Sequence, residues 1–155
     1  MSELFDLPKK IVSYDLTISP NFLANHPRAG EPTLFYEKIA NGEKIHTIRG
    51  GFENWRKKIE RVQRGEAVIL ISRWSGKPYR SKKIKIFEID NTSGIGVEPL
   101  FHNDFNRSAE VGNSIIDWCK ISKNDGLSLD DFKNWFKEPI KEVAAIIHFT
   151  SFRYE

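Results

Sequence analysis

The stretch NGEKIHTIRGG, residues 41–51, marks a change of local structure and carries an unusual number of charged and hydrogen-bonding side chains. The preceding segment TLFYEKIANG has the short apolar period of a helix, and Gly42 stands where a C-cap glycine is expected. The following KIHTIR alternates as a strand does. This stretch therefore predicts a helix, a capping glycine and a strand in direct succession.

Three side chains of this strand suggest a site. Lys44 offers an amine, Thr47 a hydroxyl and Arg49 a planar fork of donors that suits phosphates and carbonyls alike. In a regular strand Thr47 and Arg49 share a face and Lys44 lies on the other. Lys44 can reach Thr47 only if the backbone is irregular where the helix ends. The alternative is that Thr47 is an ordinary β-branched strand residue and Lys44 a solvated cation.

The rest of the chain predicts about six strands and three short helices. The mixture follows no regular βαβα order, so we expect an α+β fold, a mixed sheet curled into a small β-barrel. The predicted helices cover 33–42, 52–65 and 128–136, the last with Ser128 as N-cap. The predicted strands cover 9–19, 44–49, 67–74, 79–89 and 144–154, with weaker candidates at 94–104 and 114–121.

Length and composition indicate one globular domain. The chain has 155 residues, of which 39% are hydrophobic and 29% charged. A single cysteine, Cys119, excludes a disulfide framework and fits a reducing compartment. No apolar run has the length of a membrane span, and MSELFDLPKK lacks the order of a signal peptide. We therefore expect a cytoplasmic protein without a membrane partner.

Positive charge is concentrated in one third of the chain. Residues 56–85 contain eleven Lys/Arg and two Glu, which gives +9 within a chain of net charge +3. Such polarity suggests a basic face and an anionic partner. The alternative is a solvated helix face together with an edge strand protected by lysines.

The motif GEKIHTIR has the form Gly-x-Lys-x-x-Thr-x-Arg directly after a short helix, and this resembles the signature of the ASCH domain. ASCH domains are a branch of the PUA-like superfamily of small β-barrels. The order of the later elements agrees, including the segment GLSLDDFKNWF before the closing strand. The resemblance covers about residues 32–154, so residues 1–31 form an N-terminal strand and loop extension of a single domain.

The resemblance implies a ligand cleft beside the first helix, since PUA-like barrels commonly bind RNA or modified bases there. One branch of the ASCH family hydrolyses the acetyl amide of N4-acetylcytidine with a lysine, a threonine and a glutamate. The lysine and threonine correspond to Lys44 and Thr47, and the place of the glutamate is held by Asp125. In such a reaction Thr47 would be the nucleophile and Lys44 its base, kept neutral by burial or by a cation such as Arg49.

A second group of candidate ligand-binding residues surrounds the turn SGKP. Stacking surfaces alternate there with cations, a combination that suits unstacked bases: Trp74, Lys77, Tyr79, Arg80 and Lys83. The alternative is a core tryptophan and an exposed basic hairpin tip. Arg28, in the loop NHPRAGEP, either holds an anion at the mouth of the cleft or belongs to an ordinary surface loop.

The remaining aromatic and metal-binding residue types suggest no further site. The other three tryptophans, Trp55, Trp118 and Trp135, are expected in the core. Cys119 and the histidines lack metal-ligand spacing, so we expect no metal and no cofactor; the histidines are His26, His46, His102 and His148. His46 is expected to be structural, on the face opposite Thr47.

Three functions are open at this point. The first is an ASCH-type domain that binds RNA, a nucleotide or a modified nucleoside. The second is an amidohydrolase acting on acylated nucleosides, with Lys44, Thr47 and Asp125 as its catalytic groups. The third is a protein-interaction domain. The sequence leaves the ligand's identity and the oligomeric state open.

Overall fold

The computed structural model describes residues 11–101, 104–137 and 142–155. These residues form two sheets and four α-helices, which confirms the mixed α+β class. The helices are α1 Phe35–Asn41, α2 Phe52–Gln63, α3 Trp118–Asn124 and α4 Leu129–Trp135. The strands are β1 Val12–Thr17, β2 His46–Gly50, β3 Ala67–Trp74, β4 Lys83–Ile89, β5 Gly96–Leu100, β6 Ala109–Val111, β7 Ser114–Ile116 and β8 Ala144–His148.

The smaller sheet has the order β1-β3-β4, with β1 parallel and β4 antiparallel to β3. Its central strand β3 reads AVILISRW, and Ile69 and Ile71 are completely buried. A central strand covered on both faces has such a continuous apolar sequence.

The larger sheet is antiparallel, with the order β2-β8-β5-β6-β7. Its strand β8 is buried at every position, so it lies at the centre of the core. Among the described strands no pairing joins the two sheets into a closed barrel.

One apolar core joins both sheets. It contains Leu16 from β1, Ile71 from β3 and Ile146 from β8, and α2 adds the fully buried Ile59 and Val62. The spacing of these two residues puts them on one face of α2, which packs against β3, β5 and β8.

Several element boundaries differ from the sequence prediction. The candidate strand 114–121 is a strand only as far as Ile116, because the Asp117 carboxylate accepts the Cys119 amide and starts α3. The predicted strand 79–89 begins only at Lys83. The short strand β6 was not predicted. Residues 9–10 and 102–103, which belonged to predicted strands, lie outside the described residues, and His102 is among them.

The backbone between α1 and β2 is irregular. Gly42 ends α1 with φ of 83°, and the amides of Glu43 and Lys44 both donate to the Lys38 carbonyl. The amide of Ile45 donates instead to Asn124, and regular β2 pairing starts at His46. Strand alternation therefore does not govern Lys44, which lies before the strand.

None of the helices in the described ranges is long and apolar enough to cross a membrane.

Candidate functional site

A cleft of about 480 Å³ is lined by residues of both sheets. That volume is in the range of small-molecule sites. Four segments line it: the chain after β1, the start of β2, the β3–β4 connection and the end of α4, which comprise residues 17–23, 44–49, 74–79 and 135–136 in part, together with Phe35 and Asp125.

The deepest polar groups of the cleft are Lys44 and Asp125. Lys44 is only 2% exposed, and its Nζ donates to the Asp125 carbonyl at 2.8 Å and to its carboxylate Oδ1 at 3.1 Å. The same ammonium lies 4.3 Å from the centre of the Phe35 ring. Asp125 is held in place because it caps α3, with its amide donating to Ile121 and Ser122.

Burial and the neighbouring charges together set the pKa values of this pair. Burial lowers the pKa of Lys44; Asp125 opposes that change, while Arg49 and Lys38 add to it. Burial alone would raise the pKa of Asp125, but Lys44 and His46 together outweigh it, so the carboxyl titrates below its ordinary range. Asp125 is thus a carboxylate, and Lys44 gives up its proton more readily than an exposed lysine.

Thr47 and Arg49 line the same cleft as this pair. Thr47 is 5% exposed and lines the cleft. One terminal nitrogen of Arg49 donates to the Thr17 carbonyl at 2.6 Å, which anchors β2 to the end of β1. Burial lowers the pKa of Arg49 and Asp125 opposes that change, but a guanidinium stays charged at neutral pH.

Behind the cleft, His46 connects Asp125 to the chain's last segment. Its Nδ1 lies 3.2 Å from Asp125 Oδ1, and its Nε2 lies 2.7 Å from the Tyr154 hydroxyl. Because the carboxylate can only accept, Nδ1 must carry a hydrogen. The Tyr154 hydroxyl in turn is 3.0 Å from the Asn124 amide nitrogen. His46 therefore positions Asp125 from behind, and its spacing in the sequence gave no sign of this partner.

The walls of the cleft are aromatic. Phe35 and Trp135 meet edge to face at 5.5 Å on one side, and Phe136 lies next to them. Trp74 and Tyr79 also line the cleft, with ring centres 5.0 Å apart, and Tyr79 is 89% exposed. Trp135 was expected in the core; it is half-buried, packs against the core and also lines the cleft. In the sequence, the position of Trp135 at the C-terminal end of a short helix was the one feature that could have indicated a place at the cleft.

The predicted cations of the hairpin lie outside the cleft. Lys77 and Arg80 are exposed at the tip and do not line it. Lys83 pairs with Asp15 at 3.3 Å, and its ammonium lies 5.0 Å from the Trp74 ring centre. The hairpin thus contributes its two aromatic residues to the cleft and its charges to the surface beside it.

Arg28 also lies away from the cleft lining. Its guanidinium pairs with Glu31 at 3.1 Å and with Asp131 at 2.5 Å, and it covers the Phe22 ring at 4.6 Å. These contacts join the loop after β1 to α4. Arg28 therefore connects two segments that border the cleft.

Much of the positive charge on α2 is paired. Arg56 bridges Glu53 and Glu60, and Arg64 binds Glu66, within the helix and its exit turn. Pairing at this spacing is the ordinary behaviour of a solvated helix face. The basic segment 56–85 therefore consists of a helix whose charges are largely paired with carboxylates and a hairpin tip whose cations are exposed.

Within the described ranges, no group of three or more His, Cys, Asp or Glu side chains has the geometry of a metal site. Comparison of the chain with protein-family models, with curated proteins and with solved structures found no match.

Proposed function

We propose that the protein is a PUA-like domain of the ASCH type and that its cleft binds a nucleobase-like ligand, namely a nucleotide, a modified nucleoside or an unstacked base of RNA. The observation that carries this proposal is that one cleft combines an aromatic lining with four polar groups, Lys44, Thr47, Arg49 and Asp125, which form what we call its floor. A planar ring can stack on such aromatic side chains while its polar edge meets the floor.

The exposed cations beside the cleft support a ligand with phosphates. Lys77 and Arg80 flank Tyr79 at the mouth, where the sugar and phosphate of a bound nucleotide would emerge. Phosphate contacts of this kind add affinity without sequence preference and weaken with salt.

A second candidate function is hydrolysis of an acyl amide on the bound base, and the burial of Lys44 in the same cleft that Thr47 lines favours it. In this reaction Thr47 Oγ1 would attack the acyl carbon while neutral Lys44 accepts its proton. Lys44 would then return the proton to the leaving amine. Arg49 would stabilise the oxyanion, and water would release the acid from Thr47. Asp125 keeps the charge of the family's glutamate on a shorter side chain.

The test measures binding and hydrolysis in the same samples. N4-acetylcytidine and cytidine are titrated against Trp fluorescence, and acetate release is followed separately. We expect saturable quenching by both nucleosides, because Trp74 and Trp135 line the cleft. If hydrolysis occurs, Thr47→Val should reduce the rate at least about 100-fold while leaving binding within a few-fold.

A matched lysine exchange controls for loss of charge. Lys44→Met removes the buried amine, and Lys57→Met removes an exposed one on α2. Only the first should abolish acetate release. Absence of quenching by any nucleoside or short RNA at low salt would overturn the binding proposal. Quenching without acetate release would remove the second function and leave the first.

A further inference from the structure

The floor of the cleft contains one more cation than it has anions. Among the described lining residues, the acidic and basic side chains that can carry a charge are Lys44, Arg49 and Asp125. The Asp125 carboxylate accepts hydrogen bonds from both Lys44 Nζ and the His46 N–H behind it, and both bonds are made to the same oxygen, Oδ1. When Lys44 is protonated, the floor therefore carries one positive charge with no counter-ion in the lining.

We propose that this floor binds the carboxylate of a planar aromatic acid and that binding delivers a proton to Lys44. This inference depends on the cleft being the ligand site proposed above. It names a chemical class of ligand that the nucleobase proposal does not require.

The geometry favours a single carboxylate. The guanidinium of Arg49 keeps donors beyond the one used on the Thr17 carbonyl, and the hydroxyl of Thr47 can donate beside it. A planar fork matches a carboxylate well. The aromatic walls of Phe35 and Trp135 rise directly from this floor and suit a flat ring attached to the anion. One surplus charge matches one carboxylate, whereas a phosphate dianion would exceed it.

The proton linkage follows from the groups that face Lys44. Asp125 and His46 approach from α3 and β2, Arg49 lies further along β2, and Lys38 on α1 donates to the Gly126 carbonyl at 2.7 Å. In the empty cleft the two neighbouring cations and burial favour the neutral amine. A bound carboxylate reverses that balance, because it supplies the missing negative charge.

The direction of the pH dependence is therefore fixed. Carboxylate affinity is constant at pH values between the pKa of the ligand's own carboxyl and the pKa of Lys44 in the empty cleft. Above that pKa the affinity falls, about tenfold for each pH unit, until the higher pKa of the complex is reached. A neutral ligand of the same shape shows no such fall.

Benzoate and acetophenone make a matched pair for the experiment, since they share the ring and the planar head and differ in charge. Calorimetric titration below the pKa of Lys44 in the empty cleft should give benzoate at least about tenfold tighter binding than acetophenone, and the difference should shrink as the pH rises through that pKa. Above the pKa of Lys44 in the empty cleft, titrations in buffers of different ionisation enthalpy should show proton uptake with benzoate alone. In parallel, the ¹³Cε resonance of Lys44 should titrate at a higher pH when benzoate is present.

Arg49→Gln removes the surplus charge and should abolish the preference for benzoate while acetophenone still binds. The resonance measurement on the unaltered protein needs no variant, so it decides the matter even if Arg49→Gln does not fold. Equal affinity for the two probes, or a Lys44 titration that benzoate does not move, would overturn the inference. If acetophenone and nucleosides also fail to bind, the cleft proposal itself is what fails.

Discussion

His148, at the end of β8, is a buried residue whose surroundings favour one protonation state. It is 0% exposed; Nε2 donates to Glu98 at 2.8 Å, and Nδ1 has no partner among the described residues. Burial, together with His46 and Arg153, lowers the pKa of His148 to about 3. The Glu98 carboxylate favours the charged form, but protonation would leave a buried N–H at Nδ1 without an acceptor, so we expect the neutral form to prevail.

This environment predicts a loss of stability in acid. The unfolded chain binds a proton at His148 near pH 6.5, whereas the folded chain does so only near pH 3. The free energy of unfolding should therefore fall by about 1.4 kcal/mol for each pH unit between these limits. His148→Gln keeps a donor for Glu98 but cannot titrate, so its stability should change less from pH 7 to pH 4. Denaturant unfolding would refute the prediction if both proteins lost the same free energy of unfolding from pH 7 to pH 4.

For individual residues, the sequence predicted which side chains line the cleft better than it predicted which side chains they contact. Lys44, Thr47 and Arg49 were found because they lie within one short motif, and Asp125 because of the family resemblance. His46 as the partner of Asp125 could not be predicted, since the two meet only after α3 packs beside β2. Their roles in function remain predictions.

Among the elements, the junction between α1 and β2 determines where Lys44 lies. Gly42 has φ of 83°, a left-handed conformation that costs other residues about 1 kcal/mol or more. A Cβ at this position would touch nothing within 4 Å, so the cost of Gly42→Ala is conformational only. We expect a loss of about 1 kcal/mol in the free energy of unfolding.

Gly76 is the matched control for Gly42, because its φ is not positive and its nearest neighbour to an added Cβ is Ser81 at 3.5 Å. Gly76→Ala should be close to neutral in the same denaturant assay. Equal effects at both glycines would contradict the conformational explanation. Because the Lys44 amide donates to the same Lys38 carbonyl as its neighbour, Gly42→Ala should also perturb the Lys44 resonance.

The elements with strong periodicity were predicted, whereas the helix α3 and the strand β6 were not. The helix α2 and the strands β3 and β8 have apolar patterns that match their burial. The helix α3 was missed because SIIDWCKI is apolar enough for a strand, and the competing signal was a single capping residue, Asp117. The two separate sheets also could not be read from the sequence, since strand order depends on tertiary packing.

For the whole molecule, the shared core predicts a single cooperative unfolding transition. Leu16 in β1 is 2% exposed and belongs to the same cluster as Ile146 in β8. Leu16→Ala should therefore cost about 2 to 5 kcal/mol and shift circular dichroism and fluorescence transitions together. Ile11→Ala, at a position 57% exposed, should change stability by no more than about 0.5 kcal/mol. Separate transitions for the two probes after Leu16→Ala would show that the sheets unfold independently.

The parallel pairing of β1 with β3 also has a consequence for the order of folding. As a nascent chain leaves the ribosome, β1 emerges first, yet its partner, from Ala67 onward, follows only after α1, β2 and α2. Closing so long a loop is slow compared with forming the β3–β4 hairpin. The segment from Thr17 to Leu23 that borders the cleft is therefore expected to dock late, so ligand capture should report the final step of refolding.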